Sequence, residues 1–68
     1  MPERQMVSDK PYTVLWLKDG VITNLEEYAE LDDAKRHATE NMKLYRSLGI
    51  ANSALVRGED GAEYLRLF

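Results

Sequence analysis

The stretch LDDAKRHATENMKLYRSLG, Leu31 to Gly49, decides the fold. Leu31, Ala34, Ala38, Met42 and Tyr45 recur at spacings of three, four, four and three, which places them on one side of a helix about 27 Å long ending at Leu48. Such a stripe needs an apolar surface to cover. Glu30, Asp32 and Asp33 crowd the start and Lys43 and Arg46 sit near the end, as the helix dipole favours. Gly49 has the character of a left-handed residue just past the helix, with Ile50 as the apolar residue that folds back on the last turn.

Working outward, the period on either side of the helix drops to two. Tyr12-Thr13-Val14-Leu15-Trp16-Leu17 is rich in β-branched and aromatic residues and reads as a strand. Asp19-Gly20 then supplies a hairpin turn, because both central residues of a type I′ turn need positive φ, and a second strand runs from Val21 to about Tyr28. Beyond the helix, Asn52 to Arg57 and Ala62 to Phe68 alternate in the same way around Asp60-Gly61. The chain is therefore expected to be α+β, a ββαββ unit: a four-stranded antiparallel sheet with one helix packed on one face. Residues 11–68 form a single domain in this reading, and residues 1–10 a flexible N-terminal arm.

With 68 residues there is room for one domain, and a lone core of this size rarely supplies more than about 3–5 kcal/mol. No cysteine is present, so neither a disulfide nor a thiolate metal site can add to it. Nine Lys and Arg against twelve Asp and Glu give a net charge of −3, which opposes an electrostatic grip on phosphate and disfavours nucleic acid as a partner. Lys35, Arg36, Lys43 and Arg46 spread around the polar half of the helix with Glu40 between them, as on a solvated face rather than a phosphate-binding stripe. No apolar run approaches a membrane span, and the first ten residues lack the pattern of a signal peptide, so a cytoplasmic protein is expected.

Catalytic signals are sparse. His37 is the only histidine and falls on the flank of the helix, where no motif supplies converging partners or a fixed carboxylate, so a solvated or half-buried helix residue is expected rather than a base or a metal ligand. Ser8, Ser47 and Ser53 lie in no nucleophile pattern. Glu26, Glu27, Glu30, Asp32 and Asp33 are dense in carboxylates, but the spacing and glycine of a calcium loop are absent, so they are read as a strand end plus favourable charges at a helix start. Gly58 and Gly61 bracket Glu59-Asp60, which is turn chemistry and repels phosphate. No enzyme activity, metal, cofactor or small-molecule substrate is expected.

What remains is surface. A single helix covers one side of a sheet, yet the first hairpin is apolar on both. A two-residue turn places Leu15, Leu17, Ile22 and Asn24 on one face and Tyr12, Val14, Trp16, Val21 and Leu25 on the other. The first set is assigned to the helix, because that parity also brings Tyr28 inward, provided no bulge intervenes. In the second hairpin Val56 opposite Leu65 and Ala54 opposite Leu67 face the core, leaving Leu55, Arg57, Tyr64, Arg66 and Phe68 behind, with Tyr64 across from Arg57. Trp16 would anchor an exposed interaction face with Tyr12, Val14 and Leu25 around it and Tyr64 and Phe68 at its margin. The function expected is a small noncatalytic protein-interaction module, a homodimer or an adaptor for a protein partner. The alternative is a small acidic inhibitor that binds a basic site on another macromolecule through residues 26 to 33, and steep salt dependence would distinguish it. A third reading is an enzyme subunit or small-ligand carrier; a single layer pair of this size leaves little room for a pocket between helix and sheet, so a cavity is expected between subunits.

Overall fold

The computed structural model describes residues 9–68, so the expected arm of residues 1–10 lies almost wholly outside the described residues. In chain order the elements are β1 (Tyr12–Lys18), β2 (Val21–Tyr28), α1 (Leu31–Ser47), β3 (Ser53–Arg57) and β4 (Glu63–Leu67). All four strands join one antiparallel sheet in the order β2-β1-β3-β4, so the ββαββ reading holds. The central pair, β1 with β3, is the long-range pairing, and α1 is the crossover that carries the chain between the hairpins.

The helix is anchored as its sequence predicts. Ala34, Ala38 and Met42 are buried, and Leu31 and Tyr45 pack beside them. Its end closes on Gly49 at φ 72°: the Gly49 amide donates to Arg46 O (3.1 Å) and the Ile50 amide to Tyr45 O (2.9 Å), the paired bonds of a Schellman turn. Asp19 and Gly20 both take positive φ, 53° and 84°, as a type I′ turn requires. This turn is tied to the segment after the helix by Lys18 Nζ donating to Gly49 O (2.9 Å) and Asn52 Nδ2 donating to Asp19 Oδ1 (3.0 Å).

Facing of the first hairpin is the point at which the sequence reading fails. Leu17 pairs with Ile22, as a two-residue turn demands, but Trp16 pairs with Asn24 instead of Thr23. Thr23 is the extra residue of a β-bulge, and one extra residue inverts the facing of everything beyond it relative to β1. Tyr28 and Glu26 therefore share the helix side with Tyr12, Val14 and Trp16, whereas Leu15, Leu17, Ile22 and Leu25 share the back. Val14 and Trp16 are fully buried, and Tyr12 is half-buried against the same core. The assignment of Leu15, Leu17 and Ile22 to the helix is thus reversed.

The second hairpin reaches its expected core pairing by a different route. Val56 does oppose Leu65, and Ala54 opposes Leu67. The loop, however, has three residues: Gly58 donates to Ala62 O (2.7 Å) and Gly61 to Gly58 O (3.0 Å), with Gly61 at φ 86°. That offset pairs Arg57 with Glu63, and a bulge at Tyr64 restores the register. Tyr64 consequently does not sit across from Arg57; its ring meets the edge of Tyr12, with centroids 5.9 Å apart.

The core between helix and sheet contains Val14, Trp16, Ala34, Ala38, Met42, Ala51, Ala54 and Val56. Four of these eight are alanines, and the indole is the largest fully buried side chain among them, filling space that the small residues leave. Its ring lies 4.3 Å from that of Tyr45. Burying about 200 Å² of aromatic surface at about 25 cal/mol per Å² corresponds to roughly 5 kcal/mol before entropy, which makes Trp16 the chief stabilising side chain.

Candidate functional site

Two features stand out once the faces are assigned: a polar clasp at the edge of the core, and the sheet face that no helix covers. The clasp begins with the buried indole, whose N–H needs an acceptor. Trp16 Nε1 donates to Glu26 Oε1 at 2.8 Å. His37 Nε2 lies 3.0 Å from the same oxygen, shielded from solvent but not aligned for a hydrogen bond. Asn41 Nδ2 lies 3.2 Å from His37 Nδ1 and donates to His37 O at 2.9 Å.

His37 therefore has the fixed carboxylate neighbour that its flanking position on the helix did not suggest. Tyr28 closes the group from the strand end, its ring centroid 5.2 Å from that of His37. Its hydroxyl is pushed up to about 12, first by burial and then by the Glu26 carboxylate, with Tyr45 and Asp33 adding to it. Chemically the clasp satisfies a buried donor and couples β1, β2 and α1 through one oxygen. Alternation from a two-residue turn puts Glu26 and Trp16 on opposite faces, so the clasp exists only because the Thr23 bulge brings them together.

Alternation together with the bulge disperses the other acidic residues. Glu27 points to the opposite face from Glu26, and Asp33 pairs with Arg36 at 2.7 Å on the helix.

The uncovered face is built from three rows that the strand register defines. Glu27, Thr13, Arg57 and Glu63 cross the sheet in one row; Leu25, Leu15, Leu55 and Arg66 form the next; Ile22, Leu17 and Ser53 form the third. Leu25 and Ile22 are 51 % and 54 % exposed, whereas Leu15 and Leu55 at the centre are buried. At the β4 margin Arg66 holds Glu63 with a two-pronged pair, Nε to Oε2 at 2.5 Å and Nη2 to Oε1 at 2.9 Å. That guanidinium holds the Glu63 carboxyl below its ordinary range. The bulge at Tyr64 makes the pair possible, since strict alternation would put residues 63 and 66 on opposite faces.

Of the interaction residues expected from sequence, Leu25 does lie on the uncovered face, and Phe68, just past β4, is 79 % exposed. Trp16 and Val14 are corrected to the core, and Tyr12 to the helix side beside it. Tyr64 is exposed but bulged toward Tyr12. The reading had missed Leu15, Leu17, Ile22 and Glu27 as residues of this face. Among the described residues no pocket indents the surface, and no helix is long and apolar enough to cross a membrane. Comparisons with protein-family models, with curated proteins and with solved structures returned no match for this chain.

Proposed function

We propose that the protein is a noncatalytic interaction module of the cytoplasm, and that its sheet face opposite the helix pairs with a second copy of the chain. The observation that carries this reading is the row structure of that face. Leu25 and Ile22 lie open beside the aliphatic centre made by Leu15, Leu17 and Leu55, with charges confined to one end row and the β4 margin. Aliphatic centres with polar rims are the anatomy of association surfaces, and a flat face without a pocket suits another flat face. Burial would contribute about 25 cal/mol per Å² before association costs, which also supports a core this small.

The test is molar mass in solution, by sedimentation across micromolar concentrations, for the unaltered chain and for Leu25→Glu. Leu25 is half exposed and lies outside the helix-side core, so the substitution leaves the fold intact. A concentration-dependent dimer that Leu25→Glu converts to a folded monomer supports the module. A strictly monomeric protein, or a dimer indifferent to the substitution, refutes it.

A further inference from the structure

An open sheet leaves a row of backbone groups along each outer strand, and such a row is a template for the addition of another strand. β4 offers little of it, being five residues long and bulged at Tyr64. β2 is eight residues long, and its Val21, Ile22 and Leu25 are 64 %, 54 % and 51 % exposed. Of the two edges, β2 is the one that invites a second copy.

The ladder fixes which of its groups point outward. The Asn52 amide donates to Leu17 O at 2.8 Å on the β3 side of β1, so Leu17 turns its backbone away from β2. Leu15 and Thr13 do the same by alternation, which makes Leu15 with Leu25 and Thr13 with Glu27 the non-hydrogen-bonded pairs of the first hairpin. Leu25 and Glu27 therefore aim their amides and carbonyls at the free edge, in the regular part of β2 that lies beyond the Thr23 bulge. The Leu25 amide is already taken: it donates to Oδ1 of Asn24, the exposed residue before it, at 2.9 Å.

That amide is also the one on which self-addition would turn. In an antiparallel pairing of β2 with its own copy, outward residues must meet outward residues. A register centred on Glu26 sets Glu26 against its own copy, and one centred on Glu27 does the same with Glu27. A register centred on Leu25 opposes no like charges and sets Asn24 across from Glu26 of the partner subunit. In that register the two Leu25 residues exchange both of their backbone hydrogen bonds, and each needs the amide that Asn24 holds.

We infer that Asn24 guards the free edge of β2: by keeping the Leu25 amide on its own side chain, it stops a second copy from adding its β2 to the sheet. The guard is independent of the face pairing proposed above, because edge and face are different surfaces.

The experiment compares the unaltered chain with Asn24→Ala, with circular dichroism as the check on folding. Asn24 is exposed and outside the core, so the substitution leaves the fold intact. Hydrogen exchange of the Leu25 amide, followed by NMR in dilute solution, should be about tenfold faster in the variant. Sedimentation should show the variant associating at about tenfold lower concentration than the unaltered chain, whatever the oligomeric state of the latter, since each copy gains a free donor. Leu25→Pro removes that donor, and an edge strand tolerates proline where the amide faces outward. In the Leu25→Pro background Asn24→Ala should therefore leave association unchanged. Equal exchange rates, equal association, or the same gain with and without the Leu25 amide would each overturn the guard. Should Leu25→Pro unfold, the first two measurements decide the matter. A face-paired dimer that persists in every variant leaves the reading of the face standing.

Discussion

Deleting Thr23 is the most direct probe of how this fold is specified. Thr23 is the unpaired residue of the β2 bulge, with Trp16 opposite Asn24 on one side of it and Leu17 opposite Ile22 on the other. Excising it leaves both pairings as they are and makes the ladder regular. What is lost is the threonine hydroxyl, which donates to Ile50 O at 2.8 Å with Trp16 O also in range at 3.2 Å. One such bond is worth about 1 kcal/mol. A bulge also bends its strand, and with that bend removed the Lys18 and Asp19 ties to Gly49 and Asn52 should loosen, for a total of about 1–3 kcal/mol. The shortened chain should therefore remain folded but weakened, with Trp16 still buried. Urea unfolding followed by Trp16 fluorescence gives both quantities: a lower midpoint and an unchanged blue-shifted native emission. Under a regular, unbulged ladder the same deletion would instead swing Asn24 to Tyr28 onto the other face and disrupt the packing built on them. A deletion variant that is unfolded, or whose native emission is that of exposed tryptophan, would refute the bulge and every assignment of faces built on it.

Two further outcomes test the clasp. Glu26→Ala removes the acceptor of the buried Trp16 N–H and the neighbour of His37 Nε2, so it should cost about 1–3 kcal/mol, measured as a lower urea midpoint at constant slope. Tyr28 titrates at about 12 in the fold against about 10 when unfolded, so the folded state holds the phenol proton more tightly and its contribution is complete below pH 10. Stability should fall as pH rises from 10 toward 12, and Tyr28→Phe should flatten that part of the curve in urea titrations between pH 8 and pH 11.5. Equal alkaline loss in both proteins would show that Tyr28 is not its source.

Much of the architecture was legible because helix and strand periods differ strongly in this chain. The Leu31–Tyr45 stripe forecasts the buried side of α1, and Gly49 forecasts its end, since few residues other than glycine take the left-handed conformation there. Asp19-Gly20 likewise forecasts a turn whose two central residues both have positive φ. Which side of β1 faces the helix was not legible from alternation, because Leu15 and Leu17 compete with Val14 and Trp16 on equal terms of hydrophobicity. A bulge leaves no mark on hydrophobic periodicity within β2 and yet decides that competition. The second hairpin shows the converse: a three-residue loop and a bulge each shift the register by one, and their offsets cancel, so the expected core pairs form although the turn expected between them does not.

The same two bulges connect the fold to the proposed surface. Thr23 sends the indole inward, where its N–H finds Glu26, and sends Leu17, Ile22 and Leu25 outward onto the side the helix does not cover. Tyr64 brings Glu63 and Arg66 onto that same side as a pair. Trp16 would have been the larger anchor for a partner, but a core half made of alanine takes it as its largest buried side chain. The aromatic group therefore stabilises the monomer, and the smaller aliphatic residues are what the sheet has left to offer a second copy. On this account the weakest point of the module is the register of β2, because a slip there would exchange the core and the interface at once.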